Sequence, residues 1–243
     1  MKEQSLLKNW INESCNIVFF GGAGVSTESS IPDFRGVDGL YHQEYQYPPE
    51  TIISRSFYRS NPGEFYRFYK NKMLFPDAKP NPAHLALAKL EELGKLKAVI
   101  TQNIDGLHQE AGSKNVLELH GSVRRNHCTR CMKLFTLEEL LSSMGEDGVP
   151  RCSCSGLIKP DVVLYEESLD EDVLSRSVAY ISQADMLIVG GTSLTVYPAA
   201  GLIDYYRGNK MVLINKTVTP MDDKADLVIS GSIGKVLREA VGV

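Results

Sequence analysis

Short apolar runs alternate with amphipathic stretches along most of the chain. The apolar runs at residues 16–20, 96–100, 116–119, 185–189, 211–214 and 226–229 have the length and composition of buried β-strands. The clearest helix between them begins after Asn81, has Pro82 at its first position and stops at Gly94. This alternation predicts an α/β fold with a mostly parallel, doubly wound sheet.

Two segments interrupt the alternation of strands and helices. Residues 36–79 are rich in Tyr, Phe and Pro and have the character of loops and helices, whereas residues 124–155 contain four of the five cysteines. We therefore expect a large, discontinuous domain made of residues 1–35, 80–123 and 156–243. The two interrupting segments together should form a second, smaller domain.

Polar residues directly follow two of the predicted strands. Gln102, Asn103 and Asp105 come after the second predicted strand, and His120 comes after the third. The carboxyl ends of parallel strands border the crevice in which α/β proteins bind their ligands. We therefore predict that these four side chains lie over one binding crevice.

A glycine-rich turn follows the first predicted strand. Gly22, Ala23 and Gly24 stand where the strand passes into the predicted start of a helix, a place where backbone N–H groups can bind a pyrophosphate. Thr27 stands where the dinucleotide-binding pattern has its third glycine. The same residues are therefore about equally compatible with a tight turn that binds no ligand.

Composition and charge exclude several classes of protein. The chain has 243 residues, 43% of them hydrophobic and 23% charged, which is ordinary for a globular protein. The net charge of −4 disfavours non-specific binding to nucleic-acid phosphates. We find neither an apolar stretch of bilayer-spanning length nor the apolar core of a secretory signal at the start. We therefore expect a cytoplasmic protein without direct nucleic-acid or membrane partners.

The cysteines have the spacing of a metal site. Cys128 and Cys131 are separated by two residues, and Cys152 and Cys154 by one. Four thiolates from two such pairs suit a closed, structural Zn²⁺ site, although four reduced structural cysteines are the alternative. Cys15 stands alone before the first strand, and we expect it to be a buried apolar residue.

Taken in order along the chain, these motifs resemble those of the sirtuin family, the NAD-dependent protein-lysine deacylases. The resemblance covers nearly the full length and rests on Gly22-Ala23-Gly24-Val25-Ser26, Ile31-Pro32-Asp33-Phe34-Arg35, Thr101-Gln102-Asn103-Ile104-Asp105, Leu119-His120-Gly121, Gly191-Thr192-Ser193-Leu194 and Ile214-Asn215-Lys216. It implies a Rossmann-like large domain and a small domain formed by a zinc ribbon and a helical module. It also implies that NAD is consumed as a co-substrate and that one structural Zn²⁺ is bound.

The resemblance further implies roles for individual residues. His120 would be the general base, Asn103 would orient the ribose and a water, and Asp105 would accept a hydrogen bond from the nicotinamide carboxamide. The full set of implied NAD contacts is Gly22, Ala23, Gly24, Thr27, Asp33, Phe34, Arg35, Gln102, Asn103, Ile104, Asp105, His120, Gly191, Thr192, Ser193, Asn215, Lys216 and Ile233.

The implied partner is an acetylated lysine in an extended segment of a protein substrate. Such a peptide would add its backbone to exposed strand edges, and Val163, Tyr165 and Val196 would surround the lysine side chain. Two residues of this segment depart from the family pattern: Tyr165 stands where Phe is usual, and Glu166 where Gly is usual. These departures bear on the choice of peptide.

The acyl group can also be inferred from the resemblance. Members that remove succinyl or malonyl groups carry a Tyr-x-x-Arg pair, but here Tyr66 is followed by Tyr69 in place of the Arg. Because a carboxylate would lack its cationic partner, we expect neutral acyl groups, with acetyl first. Mono-ADP-ribosyl transfer and a zinc-ribbon binding module without catalysis are the alternative functions.

Overall fold

The computed structural model describes residues 2–33 and 46–243. Its strands are β1 (Ile17–Gly21), β2 (Leu96–Thr101), β3 (Val116–Glu118), β4 (Gly121–Cys128), β5 (Leu134–Phe135), β6 (Ile158–Val162), β7 (Met186–Gly190), β8 (Met211–Asn215) and β9 (Leu227–Ser230). Its α-helices are α1 (Lys2–Glu13), α2 (Pro49–Ile52), α3 (Arg55–Ser60), α4 (Pro62–Phe68), α5 (Pro82–Glu92), α6 (Leu107–Glu110), α7 (Leu137–Ser142), α8 (Glu171–Gln183) and α9 (Ile233–Val241). None of these helices is long and apolar enough to cross a membrane.

A six-stranded parallel sheet forms the centre of the larger part of the fold. Its strand order is β3-β2-β1-β7-β8-β9, so the direction in which strands are added reverses between β1 and β7. Each of the six predicted strands is present in this sheet, within one residue at either end. The predicted parallel, doubly wound α/β architecture is therefore confirmed.

Helices cover both faces of this sheet because its central strands are apolar on both sides. In β1, Ile17 and Phe19 point into the core cluster that also contains residues of α1, α5 and α9. Val18 and Phe20 point into the opposite cluster, against which α8 packs. All four side chains are fully buried, which explains why the strands appear in the sequence as continuous apolar runs.

A smaller antiparallel sheet, in the order β5-β4-β6, lies apart from the large one. A third core cluster joins it to α2, α3, α4 and the π-helical turn Tyr69–Met73. β4 begins at Gly121 and β6 extends to Val162, so the sheet reaches beyond the segment 124–155 at both ends. The proposed division into two discontinuous domains remains a prediction.

Helix α5 begins and ends as its sequence predicts. The side-chain oxygen of Asn81 accepts from the Ala83 N–H at 2.9 Å, and His84 Nδ1 accepts from the Asn81 N–H at 3.2 Å. Gly94 follows the helix with a φ of +69°, a conformation that favours glycine. The Asn81 amide also donates to the Val25 carbonyl at 2.8 Å, which fixes the turn after β1 to the start of α5.

One prediction about the cysteines was wrong. Cys15 is exposed rather than buried. Its N–H donates to the Asp185 carboxylate at 2.8 Å, just before β7 begins. This hydrogen bond keeps Cys15 at the protein surface, and the buried residues of β1 begin at Ile17.

Two buried histidines, His84 and His108, lie ring to ring, with their centroids 4.7 Å apart. Burial lowers the pKa of His84 to about 4, against a smaller opposing effect of the Asp105 charge. Burial, followed by the charge of His84, lowers the pKa of His108 well below its ordinary value. Both imidazoles are therefore neutral in the folded protein at pH 7.

We predict that this pair makes the folded state less stable as the pH falls below 6.5. In that range the unfolded chain protonates both histidines and the folded chain does not, so each contributes a loss of about 1 kcal/mol between pH 7 and 5.5. Urea unfolding at the two pH values measures the loss. The variant His108→Leu should show a smaller loss, and equal stability of the natural protein at both pH values would contradict the prediction.

Candidate active site

The glycine turn after β1 packs backbone to backbone against the loop after β7. A Cβ on Gly24 would lie 2.8 Å from the Gly191 Cα, and a Cβ on Gly22 would lie 2.8 Å from the Thr192 Cβ. Gly191 has a φ of +61°, and a Cβ there would lie 2.4 Å from the Val25 nitrogen. The glycines therefore allow the two loops to meet where the strand order reverses, which is where ligands bind in this class of sheet.

Ser26 connects the glycine turn to the polar residues after β2. Its hydroxyl donates to Asp105 Oδ2 at 2.7 Å and accepts from Asn103 Nδ2 at 3.0 Å. The other carboxylate oxygen of Asp105 accepts from the Leu107 N–H at 2.9 Å. Asn103 is only 9% exposed, so this network holds its amide in one place beside the turn.

Gln102 connects the site across four strand ends, those of β1, β2, β7 and β8. Its N–H donates to the Gly21 carbonyl at 2.9 Å, and its amide donates to Thr192 Oγ1 at 3.1 Å. The Thr192 N–H in turn donates to Asn215 Oδ1 at 3.0 Å, at the end of β8. The amide nitrogen of Asn215 is buried and has no hydrogen-bond partner among the described residues, so a donor is available at this edge.

His120 lies at the end of β3, directly beside Gln102. Its Nδ1 is 3.0 Å from the Gln102 carbonyl oxygen. Since a carbonyl can only accept, Nδ1 carries the proton and Nε2 keeps its lone pair in the neutral ring. Burial lowers the pKa of His120, against the opposing effect of the hydrogen bond to Gln102. The ring is therefore a neutral base at pH 7 with a fixed tautomer.

The remaining predicted NAD contacts differ in their surroundings. Ala23, Thr27, Asp33 and Ile104 are half-buried, whereas Ser193 and Lys216 are exposed.

Ile233 is 3% exposed and belongs to the core cluster beneath the sheet, where its side chain occupies the space a Gly190 Cβ would take. Phe34 and Arg35 lie outside the described residues. The contacts assigned to all these residues remain predictions.

The predicted peptide segment begins next to His120. The Val163 N–H donates to the His120 carbonyl at 2.9 Å, which places the end of β6 beside the strand-end residues. Tyr165 is 39% exposed and pairs through its backbone with Ile53 and Arg55. Val196 is half-buried in the loop that follows β7.

The two tyrosines at the predicted acyl position are fully buried in the third core cluster. The Tyr66 hydroxyl donates to the Ile158 carbonyl. The Tyr69 hydroxyl has no hydrogen-bond partner within residues 2–33 and 46–243. Neither residue brings a positive charge into the cluster.

The four paired cysteines come together at one end of the small sheet. Their sulfur atoms all lie within 4.8 Å of one another, with Cys128 and Cys154 at 3.4 Å and Cys131 and Cys152 at 3.7 Å. Tetrahedral Zn²⁺ with bonds of about 2.3 Å requires sulfurs about 3.8 Å apart. The cluster therefore fits a Zn²⁺ ion, and all four positions of the ion would be filled by the chain.

A model of the Sir2 family, whose members are the sirtuins, matches residues 22–198. The chain belongs to the Sir2 family. The NAD-dependent protein deacetylase of Clostridium acetobutylicum is 60% identical and aligns over 97% of this chain and 96% of its own length. That of Thermotoga maritima is 48% identical over 95% of this chain and 94% of its own length.

Solved Sir2 structures have the same fold over the full chain. One Sir2 structure with a p53 peptide and NAD⁺ is 44% identical, with a TM-score of 0.88, and covers 100% of this chain and 98% of its own. Another, bound to a propionylated peptide, is 43% identical, with a TM-score of 0.87 and the same coverage.

Ser26 was not among the site residues predicted from the sequence, although it belongs to the Sir2 glycine motif quoted there. The available signal was its place two residues after Gly24, next to a turn that faces the end of β2. Its hydrogen bonds to Asp105 and Asn103 join residues about eighty positions apart, and only the fold shows that they meet.

We predict one Zn²⁺ per chain, held by the four paired cysteines. Elemental analysis of the purified protein should give this ratio, and a chelator should lower the melting temperature because Cys128 and Cys152 belong to the third core cluster. The variant Cys131→Ser should lose the metal. The exposed Cys15→Ser is the matched control and should retain it, whereas a metal-free natural protein would contradict the assignment.

Proposed function

We propose that the chain is an NAD-dependent protein deacetylase that moves the acetyl group of an acetylated lysine onto the ADP-ribose part of NAD. One water is consumed, and the products are nicotinamide, O-acetyl-ADP-ribose and free lysine. One observation carries the proposal: the Gln102 carbonyl fixes the proton on His120 Nδ1, so Nε2 is left as a neutral base at the strand ends where Ser26 holds Asn103 and Asp105. The deacetylase names of its relatives at up to 60% identity support it.

The crevice has features that suit NAD. Gly22, Gly24 and Gly191 let the turns after β1 and β7 meet beside it. The Asn215 amide nitrogen, which has no partner among the described residues, would donate to a ribose hydroxyl. When bound, NAD supplies a glycosidic bond whose cleavage releases nicotinamide and leaves C1′ of the ribose open to attack by the acetyl oxygen.

The side chains of the site then have separate tasks. Asp105 already accepts from Ser26 and Leu107, and each carboxylate oxygen has a second lone pair for the nicotinamide carboxamide. Asn103, held by Ser26, orients the ribose. His120 Nε2 takes a proton from a ribose hydroxyl, because its other nitrogen is already committed to the Gln102 carbonyl.

The peptide binds next to this crevice in the proposal. Val163 and Tyr165 lie in the segment that leaves β6 at His120, and Val196 lies in the loop after β7. An extended peptide can pair its backbone with such a segment, so the lysine side chain enters beside His120. A cytoplasmic location belongs to the same proposal, since clustered reduced thiolates suit a reducing compartment.

The test of the function is mass spectrometry of one acetylated peptide incubated with the protein, with and without NAD. We expect loss of the acetyl group only with NAD, together with nicotinamide and O-acetyl-ADP-ribose in equal amounts. Protein carrying ADP-ribose, without deacetylated peptide, would instead support mono-ADP-ribosyl transfer. No reaction at all would support a binding module without catalysis.

We predict that His120→Ala reduces kcat for deacetylation by roughly 10²- to 10⁴-fold, the usual contribution of a general base. Binding of NAD and peptide should largely survive, because the strand-end network does not depend on the imidazole Nε2. The matched control is His127→Ala, which removes a half-buried histidine of β4 outside the site. Full activity of His120→Ala would remove this residue from the mechanism.

We predict that acetyl is removed from a given peptide at least roughly 100-fold faster than succinyl, because a buried carboxylate without a cation is strongly disfavoured. Tyr66 and Tyr69 offer only neutral hydroxyls at the corresponding position. Comparison of kcat/KM for the two acylated forms of one peptide measures the ratio. Faster removal of succinyl would contradict the acyl assignment.

A further inference from the structure

Glu166 occupies an unfavourable backbone conformation next to the predicted peptide segment. Its φ is +72°, in the left-handed region where a residue with a Cβ is disfavoured. A glycine would adopt this conformation without the steric cost. A favourable contact of the Glu166 side chain must therefore offset the steric cost of this backbone conformation.

Both carboxylate oxygens of Glu166 bind Ser56, 110 positions earlier in the chain. Oε2 accepts from the Ser56 N–H at 2.9 Å, and Oε1 accepts from the Ser56 hydroxyl at 2.8 Å. Ser56 lies in the first turn of α3, where N–H groups have no partner within the helix. The neighbouring cap, Ser54 Oγ, accepts from Phe57 at 3.2 Å and leaves the Ser56 N–H to Glu166.

The backbone beside Glu166 is bound to the same helix start. The Arg55 N–H donates to the Tyr165 carbonyl, and the Tyr165 N–H donates to the Ile53 carbonyl, each at 3.0 Å. At its other end the segment is fixed to the site, since the Val163 N–H donates to the His120 carbonyl. Residues 163–166 thus form a bridge between His120 and the start of α3.

The adjacent carboxylate has a different task. Glu167 Oε2 accepts from the Leu164 N–H at 2.9 Å and from Lys159 Nζ at 3.0 Å. These contacts shape the turn from within and do not reach α3. The side-chain contact between this turn and Ser56 is made by Glu166.

We propose that Glu166 is a positioning residue for the peptide substrate. Its two hydrogen bonds to Ser56, which we call the latch, hold residues 163–165 against α3. They thereby determine where the peptide backbone pairs beside His120. The inference rests on the proposed function. Because Glu166 contacts neither Asn103 nor His120, the latch acts on peptide binding and leaves NAD binding and the chemical step unchanged.

The decisive variant is Glu166→Gly, which removes the latch and also relieves the backbone strain, so the fold is retained. The KM for an acetylated peptide should rise about fivefold, in line with the loss of charged hydrogen bonds, with kcat and the KM for NAD within twofold of the natural protein. Glu166→Gln keeps an acceptor for the Ser56 N–H and should restore most of the affinity. An unchanged peptide KM in Glu166→Gly would overturn the proposal.

A control variant separates the latch from simple loss of charge. Glu171→Gln makes the same charge change at an exposed position of the first turn of α8 and should leave the peptide KM unchanged. An increase in this variant equal to that of Glu166→Gly would overturn the latch in favour of a general charge effect.

Hydrogen exchange tests the latch without any reliance on activity. In Glu166→Gly the Ser56 amide should exchange faster than in the natural protein because its acceptor is removed. The Tyr165 amide should also exchange faster, because its pairing with the Ile53 carbonyl is no longer held by the neighbouring contact. Unchanged exchange at both amides would overturn the latch. If the natural protein shows no NAD-dependent deacetylation, the proposed function fails, while this measurement still decides whether the latch exists.

Discussion

The hydrogen bond between His120 Nδ1 and the Gln102 carbonyl determines what the site can do. It fixes the tautomer of the imidazole, so Nε2 keeps its lone pair and can accept a proton. The bond exists because β2 and β3 are parallel neighbours: the Leu119 N–H donates to the Thr101 carbonyl at 2.9 Å and aligns the two strand ends. The register between β2 and β3 thus determines which nitrogen of the His120 ring carries the proton.

Close contact between glycines provides the second constraint. Gly24 and Gly191 let the loops after β1 and β7 meet, and this contact brings Ser26 within hydrogen-bond distance of Asp105. The glycine pattern therefore has a packing role even before any cofactor is considered. The turn is therefore more than a tight connection, since its Ser26 positions Asp105 and Asn103.

The sequence predicted elements better than connections between them. The strands could be located because each is a short apolar run, and the cap of α5 because Asn81 and Pro82 are local signals. Cys15 was placed in the core wrongly, because a hydrogen bond to Asp185 at the surface has no local signature. The Ser26 network and the Glu166 contact with Ser56 join distant positions, so only the fold brings them together.

The most direct test of the account is the ¹⁵N NMR spectrum of the His120 ring, assigned by its loss in His120→Ala. We predict a protonated Nδ1 and an unprotonated Nε2 at pH 7, the state that the Gln102 carbonyl imposes. A ring protonated on Nε2, or on both nitrogens, at pH 7 would contradict the role of His120 as the base.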